Sequence, residues 1–321
     1  MADLSIPTQT ELHDSLVRIQ PYVHQTPVLT SQQINEIAGA ELFFKCENFQ
    51  KVGAFKFRGA INAVLQLTDD EKKRGVITHS SGNHAQALAL AARMQNISVT
   101  IVMPETAPKV KSAAVADYGA RIIWCKADIQ SREHTMNAEI KKSGATVVHP
   151  FDNHHIICGQ STAAQELIKK HDKLDIIIAP VGGGGLLSGT ALATKYNNSS
   201  TAVIGAEPEG ADDAYRSFYS GNLLPSVNPN TIADGLLTSL SARTFNIIYK
   251  YVDDILVAND EEILSAMHLI WERLKIIIEP SSAVALAVIL KNKQRFAGKR
   301  IGIILSGGNV DLKKFSFASL I

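Results

Sequence analysis

Cysteine is scarce in this sequence. Three in 321 residues, Cys46, Cys125 and Cys158, stand too far apart for a disulfide framework, and no C-x-x-C or Cys/His spacing suggests zinc, so a reducing compartment fits. Excess charge of one sign is also missing. The 32 Lys and Arg are scattered among 31 Asp and Glu, which removes the footprint expected of a nucleic-acid or anionic-membrane binder and leaves small molecules or further copies of the chain as partners. No apolar run approaches the roughly 18 residues that span a bilayer. The first residues, M-A-D-L-S-I-P-T-Q-T-E-L, carry acids early and no apolar signal core, so a cytoplasmic location is expected. The nucleotide signatures G-x-G-x-x-G and G-x-x-x-x-G-K-[ST] are absent, although residues 184–190 approach the second without its lysine.

What is present is an ordinary globular composition, 45% hydrophobic and 20% charged, long enough for about two domains. Short apolar runs alternate with helical stretches. Strands are expected near 41–46, 75–78, 97–103, 120–124, 145–148, 174–180, 201–206 and 300–305. Helices are expected near 10–23 (kinked or ended by Pro21), 57–67, 85–95, 109–118, 129–142, 159–171, 186–196, 261–274 and 282–291. Continuous apolar strands separated by helices predict an α/β fold with mostly parallel sheets covered on both faces. Residues 220–230, rich in Gly, Pro and Asn, read as a loop, as does the acidic Asp253-Asp254. The pair His154-His155 reads as a helix start or solvent feature, and Cys158 as core.

Ligands of such sheets bind beyond the carboxyl ends of the strands. Residues 52–60, V-G-A-F-K-F-R-G-A, place Lys56 between Phe55 and Phe57 with glycines on either side. The lysine reads either as one snorkelling past two core rings or as a desolvated amine made reactive by flanking rings. Ser80-Ser81-Gly82-Asn83-His84 sits at a strand-to-helix turn and reads as a helix cap or a polar site. Gly182, Gly183, Gly184 and Gly185 follow a buried strand and open a helix, the make-up of a phosphate cradle. Residues 301–309, I-G-I-I-L-S-G-G-N, deliver Ser306 into a glycine turn. Glu207, Ala211 and Asp213 follow a further strand; on spacing alone, helix capping is favoured over a shared hard cation. A flanked lysine with a phosphate cradle but no nucleotide motif suggests pyridoxal phosphate.

In order, F-K-x-R-G, S-S-G-N-H, G-G-G-G and S-G-G-N resemble the serine racemase and serine/threonine dehydratase group of pyridoxal-phosphate enzymes, of the tryptophan-synthase-β-like fold (fold type II). The resemblance runs from about Thr26 to Asp311. It implies that Lys56 carries the cofactor as a Schiff base beside Phe55. Gly182 to Gly185 would bind its phosphate, Asn83 its ring hydroxyl and Ser306 its pyridine nitrogen. Ser80, Ser81, Asn83, His84 and Arg132 would meet the substrate, with Ser81 moving a proton opposite Lys56.

The family's Mg²⁺ or Ca²⁺ site matches at Glu207, Ala211 and Asp213, which reverses the capping preference. For ATP activation, Ser31, Lys51, Gln86, Lys111, Tyr118 and Asn309 are compatible, while Gln32 and Val52 replace small hydroxyl residues of the animal pattern. The resemblance also implies a homodimer, a large domain from 1–74 and 152–321, and a small mobile domain, 75–151, that closes over the substrate. The chain ends soon after S-G-G-N, which leaves no room for a regulatory domain, and Ser319-Leu320-Ile321 reads as a frayed end. The expected activity is serine racemisation with serine dehydration. L-threo-3-hydroxyaspartate or threonine dehydration is the alternative on the same site; a non-catalytic binding protein or a nucleotide-binding oxidoreductase is the alternative from another class.

Overall fold

Apolar strand runs buried on both faces build two sheets in the computed structural model, which describes residues 4–107 and 109–314. The strands are β1 (Val28–Leu29), β2 (Glu41–Cys46), β3 (Val76–His79), β4 (Val99–Pro104), β5 (Arg121–Cys125), β6 (Thr146–Val147), β7 (Ile176–Pro180), β8 (Ala202–Pro208), β9 (Asp254–Ala258) and β10 (Arg300–Leu305). One sheet has the order β1-β2-β10-β7-β8-β9, the other β5-β4-β3-β6. All neighbours run parallel except β1 and β2. This is the expected α/β architecture of two open, mostly parallel sheets with helices.

Register follows burial. Ile303 pairs with Phe44 on one side and Ile178 on the other, and Ile178 pairs with Ile204, so the middle of the larger sheet is a row of fully or nearly fully buried apolar side chains. The helix Pro280–Lys291 is buried from Pro280 to Ile289. It packs against this row, each fully buried Leu or Ile contributing about 1.5–3 kcal/mol. The smaller sheet has its own core, in which helix Asn83–Met94 packs Leu88 and Ala92 against Phe57 and Ile61 of helix Lys56–Leu65. No described helix is long and apolar enough to cross a membrane.

The first helix is Gln9–Ile19, closed at its start by a Thr8/Glu11 capping box, and it ends before Pro21, as one of the two outcomes expected there. Two expectations change. The helix expected from 159 begins at His154, because Asn153 accepts from the Ile156 N–H as its cap, and the two histidines form its first turn. Asp253-Asp254 is not wholly loop: Asp254 opens β9, and the Asp253 carboxylate accepts from the Val203 N–H beside it. The loop expected at 220–230 is found after helix Asp213–Ser220, which ends on Gly221 in the left-handed region. Ser319, Leu320 and Ile321 lie outside the described residues.

Candidate active site

The carboxyl end of β2 turns sharply into the lysine segment. Val52 (φ 56°) and Gly53 (φ 68°) are both left-handed, and a Cβ on Gly53 would lie 2.7 Å from Asn309 Oδ1, so this turn requires glycine. Ala54 bridges to Gly307, and the Phe55 N–H donates to the Ser306 carbonyl at 2.9 Å, which docks the segment on the turn after β10. Lys56 then opens helix Lys56–Leu65. Its half-buried amine donates to the Pro150 carbonyl at 3.0 Å and lies 5.0 Å from the centre of the Phe55 ring. Burial lowers its pKa to about 8, against the opposing pull of the Glu279 charge. Phe57 does not flank the amine as expected. Successive helical residues point about 100° apart, so Phe57 enters the core, where the Lys51 ammonium rather than Lys56 lies over its ring.

Next to Pro150, the Phe151 ring reaches the glycine loop. A Cβ on Gly183 would lie 2.2 Å from that ring, one on Gly185 3.0 Å from Phe151 Cβ, and one on Gly182 2.9 Å from the Leu236 backbone. Gly184, at φ 85°, caps helix Gly185–Asn197, and no side chain caps its free N–H groups. A buried helix end left without a capping side chain suits an anion such as phosphate.

Polar groups gather beside the lysine turn, to which Asn309 is tied through the Val52 carbonyl at 2.7 Å. Asn83 Nδ2 donates to both Glu279 oxygens at 3.0 and 3.2 Å, and Asn83 Oδ1 accepts from Asn309 Nδ2 at 2.9 Å. Ser306 is buried with its Oγ 3.1 Å from Ser282 Oγ. Ser282 donates its one proton to the Gly307 carbonyl at 2.6 Å, so in their mutual bond the Ser306 hydroxyl donates and Ser282 accepts.

Ser80 and Ser81 follow β3, half-buried, and Ser80 Oγ accepts from the Gly82 N–H at 3.3 Å. His84 is buried. Its Nε2 lies 3.0 Å from the Val148 carbonyl, which only accepts, so Nε2 holds the proton and Nδ1 is a buried lone pair without a partner. Burial, then the Lys56 charge, pushes its pKa down to about 3, so the ring is neutral. Arg132 gives Nη2 to the Ala127 carbonyl at 2.8 Å, while its Nε is buried and unpartnered. Its charge reaches His79, the residue before Ser80, whose pKa is lowered by burial first and Arg132 second.

Glu279, His79 and His149 were not anticipated. The His149 ring lies edge-on to Phe151 with centroids 4.6 Å apart, and its Nδ1 accepts from the Asp152 N–H at 2.9 Å. A single acid before a proline reads as a helix cap; the one available signal for Glu279 was its place after the apolar run Ile276-Ile277-Ile278.

Elsewhere, Glu207 does cap a helix, accepting from the N–H groups of Ala214 and Tyr215 at 2.9 and 2.7 Å. Asp213 accepts from the Leu240 N–H at 3.1 Å through Oδ2, and its Oδ1 is buried without a partner. Both acids are fully buried, and burial raises both pKa values, that of Asp213 to about 6. Among the described residues, no three His, Cys, Asp or Glu side chains cluster as a metal site. Of the residues compatible with ATP, Ser31 caps helix Gln32–Ala38 and Gln86 is buried in helix Asn83–Met94. Tyr118 is half-buried, and Asn309 is engaged by Asn83 and the Val52 carbonyl. The Lys111 side chain lies outside the described residues.

Comparison with known proteins gives a consistent result. The family described as "Pyridoxal-phosphate dependent enzyme" matches residues 19–307. The chain is 49% identical over 320 residues to serine racemase of Dictyostelium discoideum, covering 98% of this chain and 99% of that one. It is 50% identical over 309 residues to beta-hydroxyaspartate dehydratase of Paracoccus denitrificans, covering 96% and 98%. The structure of maize serine racemase superposes with a TM-score of 0.94 at 44% identity, covering 97% of this chain and 96% of that one.

Proposed function

The chain belongs to the family of pyridoxal-phosphate-dependent enzymes, and from that premise we propose that it interconverts L- and D-serine and eliminates water from serine to give pyruvate and ammonia. The observation that carries this reading is Lys56: an amine at a pKa of about 8, beside Phe55, bonded to the residue that precedes the ring packed on the glycine loop. Bound there, pyridoxal phosphate would supply an electron sink that acidifies Cα of the substrate amino acid. Lys56 holds the cofactor and then moves the proton at Cα, and the Ser81 hydroxyl moves a proton at the same carbon from the other side. N–H groups of Gly182 to Gly185 hold the phosphate. Asn83, fixed by Glu279 and Asn309, meets the ring hydroxyl.

The substrate carboxylate is assigned to Ser80, Ser81 and the first-turn N–H groups of Asn83 and His84, with Arg132 beside them. His84 acts through its backbone because its one ring N–H is spent on Val148. Ser306, by turning its hydroxyl proton from Ser282, would offer the pyridine nitrogen a neutral donor. A neutral donor leaves that nitrogen a weaker charge sink than a carboxylate would, so expulsion of a β-hydroxyl competes with reprotonation of Cα.

The unit at 75–151, which carries Ser81, is assigned the closing motion that excludes water. Mg²⁺ or Ca²⁺ is assigned to Glu207, the Ala211 carbonyl and Asp213, supported by the orphaned Asp213 Oδ1. A cytoplasmic homodimer completes the proposal. ATP activation is left out of it, since Asn309 is already engaged and Gln32 and Val52 depart from the pattern.

A second reading, favoured by the unpartnered Arg132 Nε and the Paracoccus relative, keeps the site and takes L-threo-3-hydroxyaspartate, whose extra carboxylate suits an arginine. Borohydride reduction of the cofactor-loaded protein followed by peptide mass spectrometry tests the shared premise. The reduced adduct is expected on Lys56; an adduct confined to another lysine would overturn the site.

A further inference from the structure

Behind the lysine lies a group of four charges that the chemistry above does not use. Lys45, Glu47 and Arg58 are buried, and the Glu166 side chain is 11% exposed. Arg58 Nε and Nη2 donate to the two Glu47 oxygens at 2.7 and 2.9 Å, while Nη1 and Nη2 donate to the two Glu166 oxygens at 2.7 and 2.9 Å. One planar guanidinium is thus forked on two carboxylates. Lys45 Nζ completes the group, bonding Glu166 at 2.5 Å and the Thr26 carbonyl at 2.8 Å, and the Thr26 hydroxyl donates to Glu47 at 2.6 Å. Two positive charges balance two negative ones.

Arg58 stands two residues after Lys56 in the same helix. At 3.6 residues per turn their side chains leave the axis about 200° apart, so one is on the back when the other is on the front. The next residue, Gly59, touches helix His154–Lys170: a Cβ on Gly159 would lie 2.6 Å from Gly59 Cα, and the Gly59 N–H donates to Gln160 Oε1 at 3.1 Å. Bare backbone against backbone sets how closely the helices approach, but leaves them free to roll. A guanidinium forked twice does not roll. Well-packed apolar residues would serve stability as well as this buried group does. What the charges add is orientation.

We propose that Arg58 is a positioning residue of the site, its double fork on Glu47 and Glu166 fixing the roll of helix Lys56–Leu65 and with it the direction in which the Lys56 side chain enters the site. The inference rests on Lys56 being the cofactor-bearing lysine. Arg58→Lys keeps the charge but has no planar fork, and Glu166→Gln removes the charge of the more accessible carboxylate, so it also answers should the first variant not fold.

The test compares holoenzymes by circular dichroism of the visible cofactor band per bound cofactor, by kcat and KM for L-serine, and by thermal midpoint. Arg58→Lys is expected to weaken the band and lower kcat roughly tenfold or more, with KM within about twofold of the parent, and Glu166→Gln to do the same more mildly. Folded variants with unchanged band and kcat would overturn the proposal alone, as would a kcat loss equal to the unfolded fraction. Absence of the band in the unaltered protein would overturn the cofactor reading and this proposal with it.

Discussion

Asn83 holds Glu279 with its amide nitrogen, 3.0 and 3.2 Å from the two carboxylate oxygens, and so ties the helix that follows β3 to the turn before helix Pro280–Lys291. The first belongs to the smaller sheet's surroundings and the second to the larger sheet's core. The same carboxylate is the charge that opposes the lowering of the Lys56 pKa, so one acid links Asn83, the residue proposed to meet the ring hydroxyl, to the Lys56 amine.

Acylation of Lys56 in the cofactor-free protein, followed by peptide mass spectrometry across pH, is expected to show a midpoint near 8 rather than the ordinary 10.5. Burial disfavours the ammonium, so the nucleophilic form appears earlier as pH rises. Glu279→Gln removes the charge that favours the ammonium and should move the midpoint lower still. A midpoint near 10.5 in the parent would contradict the desolvated-amine account.

Ser81→Ala is expected to lose D-serine formation far more than pyruvate formation from L-serine, because only racemisation returns a proton to Cα from the side assigned to Ser81. Equal loss of both rates would remove that assignment.

Gly183→Ala places a methyl 2.2 Å from the Phe151 ring. The ring must move, and overpacking of this kind costs about 1–3 kcal/mol. Lower thermal stability together with weaker cofactor retention is the expected outcome; unchanged retention would separate the loop from the phosphate.

Mg²⁺ is expected to raise the thermal midpoint of the parent protein and to leave that of Asp213→Asn unmoved, since the variant lacks one carboxylate charge of the proposed site. A shift of equal size in both would place the ion elsewhere.

The sequence made the strand–helix rhythm and the glycine-marked junctions legible, because continuous apolar runs such as Ile176–Pro180 and four consecutive glycines carry their meaning locally. Helix Ala242–Tyr251 was not legible. Its aromatic and β-branched residues are weak helix formers, and it is held by a Ser241/Thr244 capping box and by burial of Ile247 and Ile248. β9 was hidden for a related reason, as an edge strand that opens on an acid, Asp254, with another, Asp253, just before it.

In the site, Lys56 and its glycine loop stood out because their residue types are costly without a purpose. Glu279 did not: its partners Asn83 and Lys56 are more than 190 residues away in the chain, and only packing brings them together. Phe57 is a neighbour of Lys56 in the chain but not in space, because the helix that begins at Lys56 points the two side chains apart.

The most direct test loads the protein with pyridoxal phosphate and Mg²⁺ and follows D-serine and keto acid from L-serine, L-threonine and L-threo-3-hydroxyaspartate in parallel. The account predicts D-serine at a rate comparable to pyruvate, with both abolished by Lys56→Ala. Keto acid without D-serine, fastest from hydroxyaspartate, would contradict the racemase assignment and make the chain a dehydratase on the same scaffold.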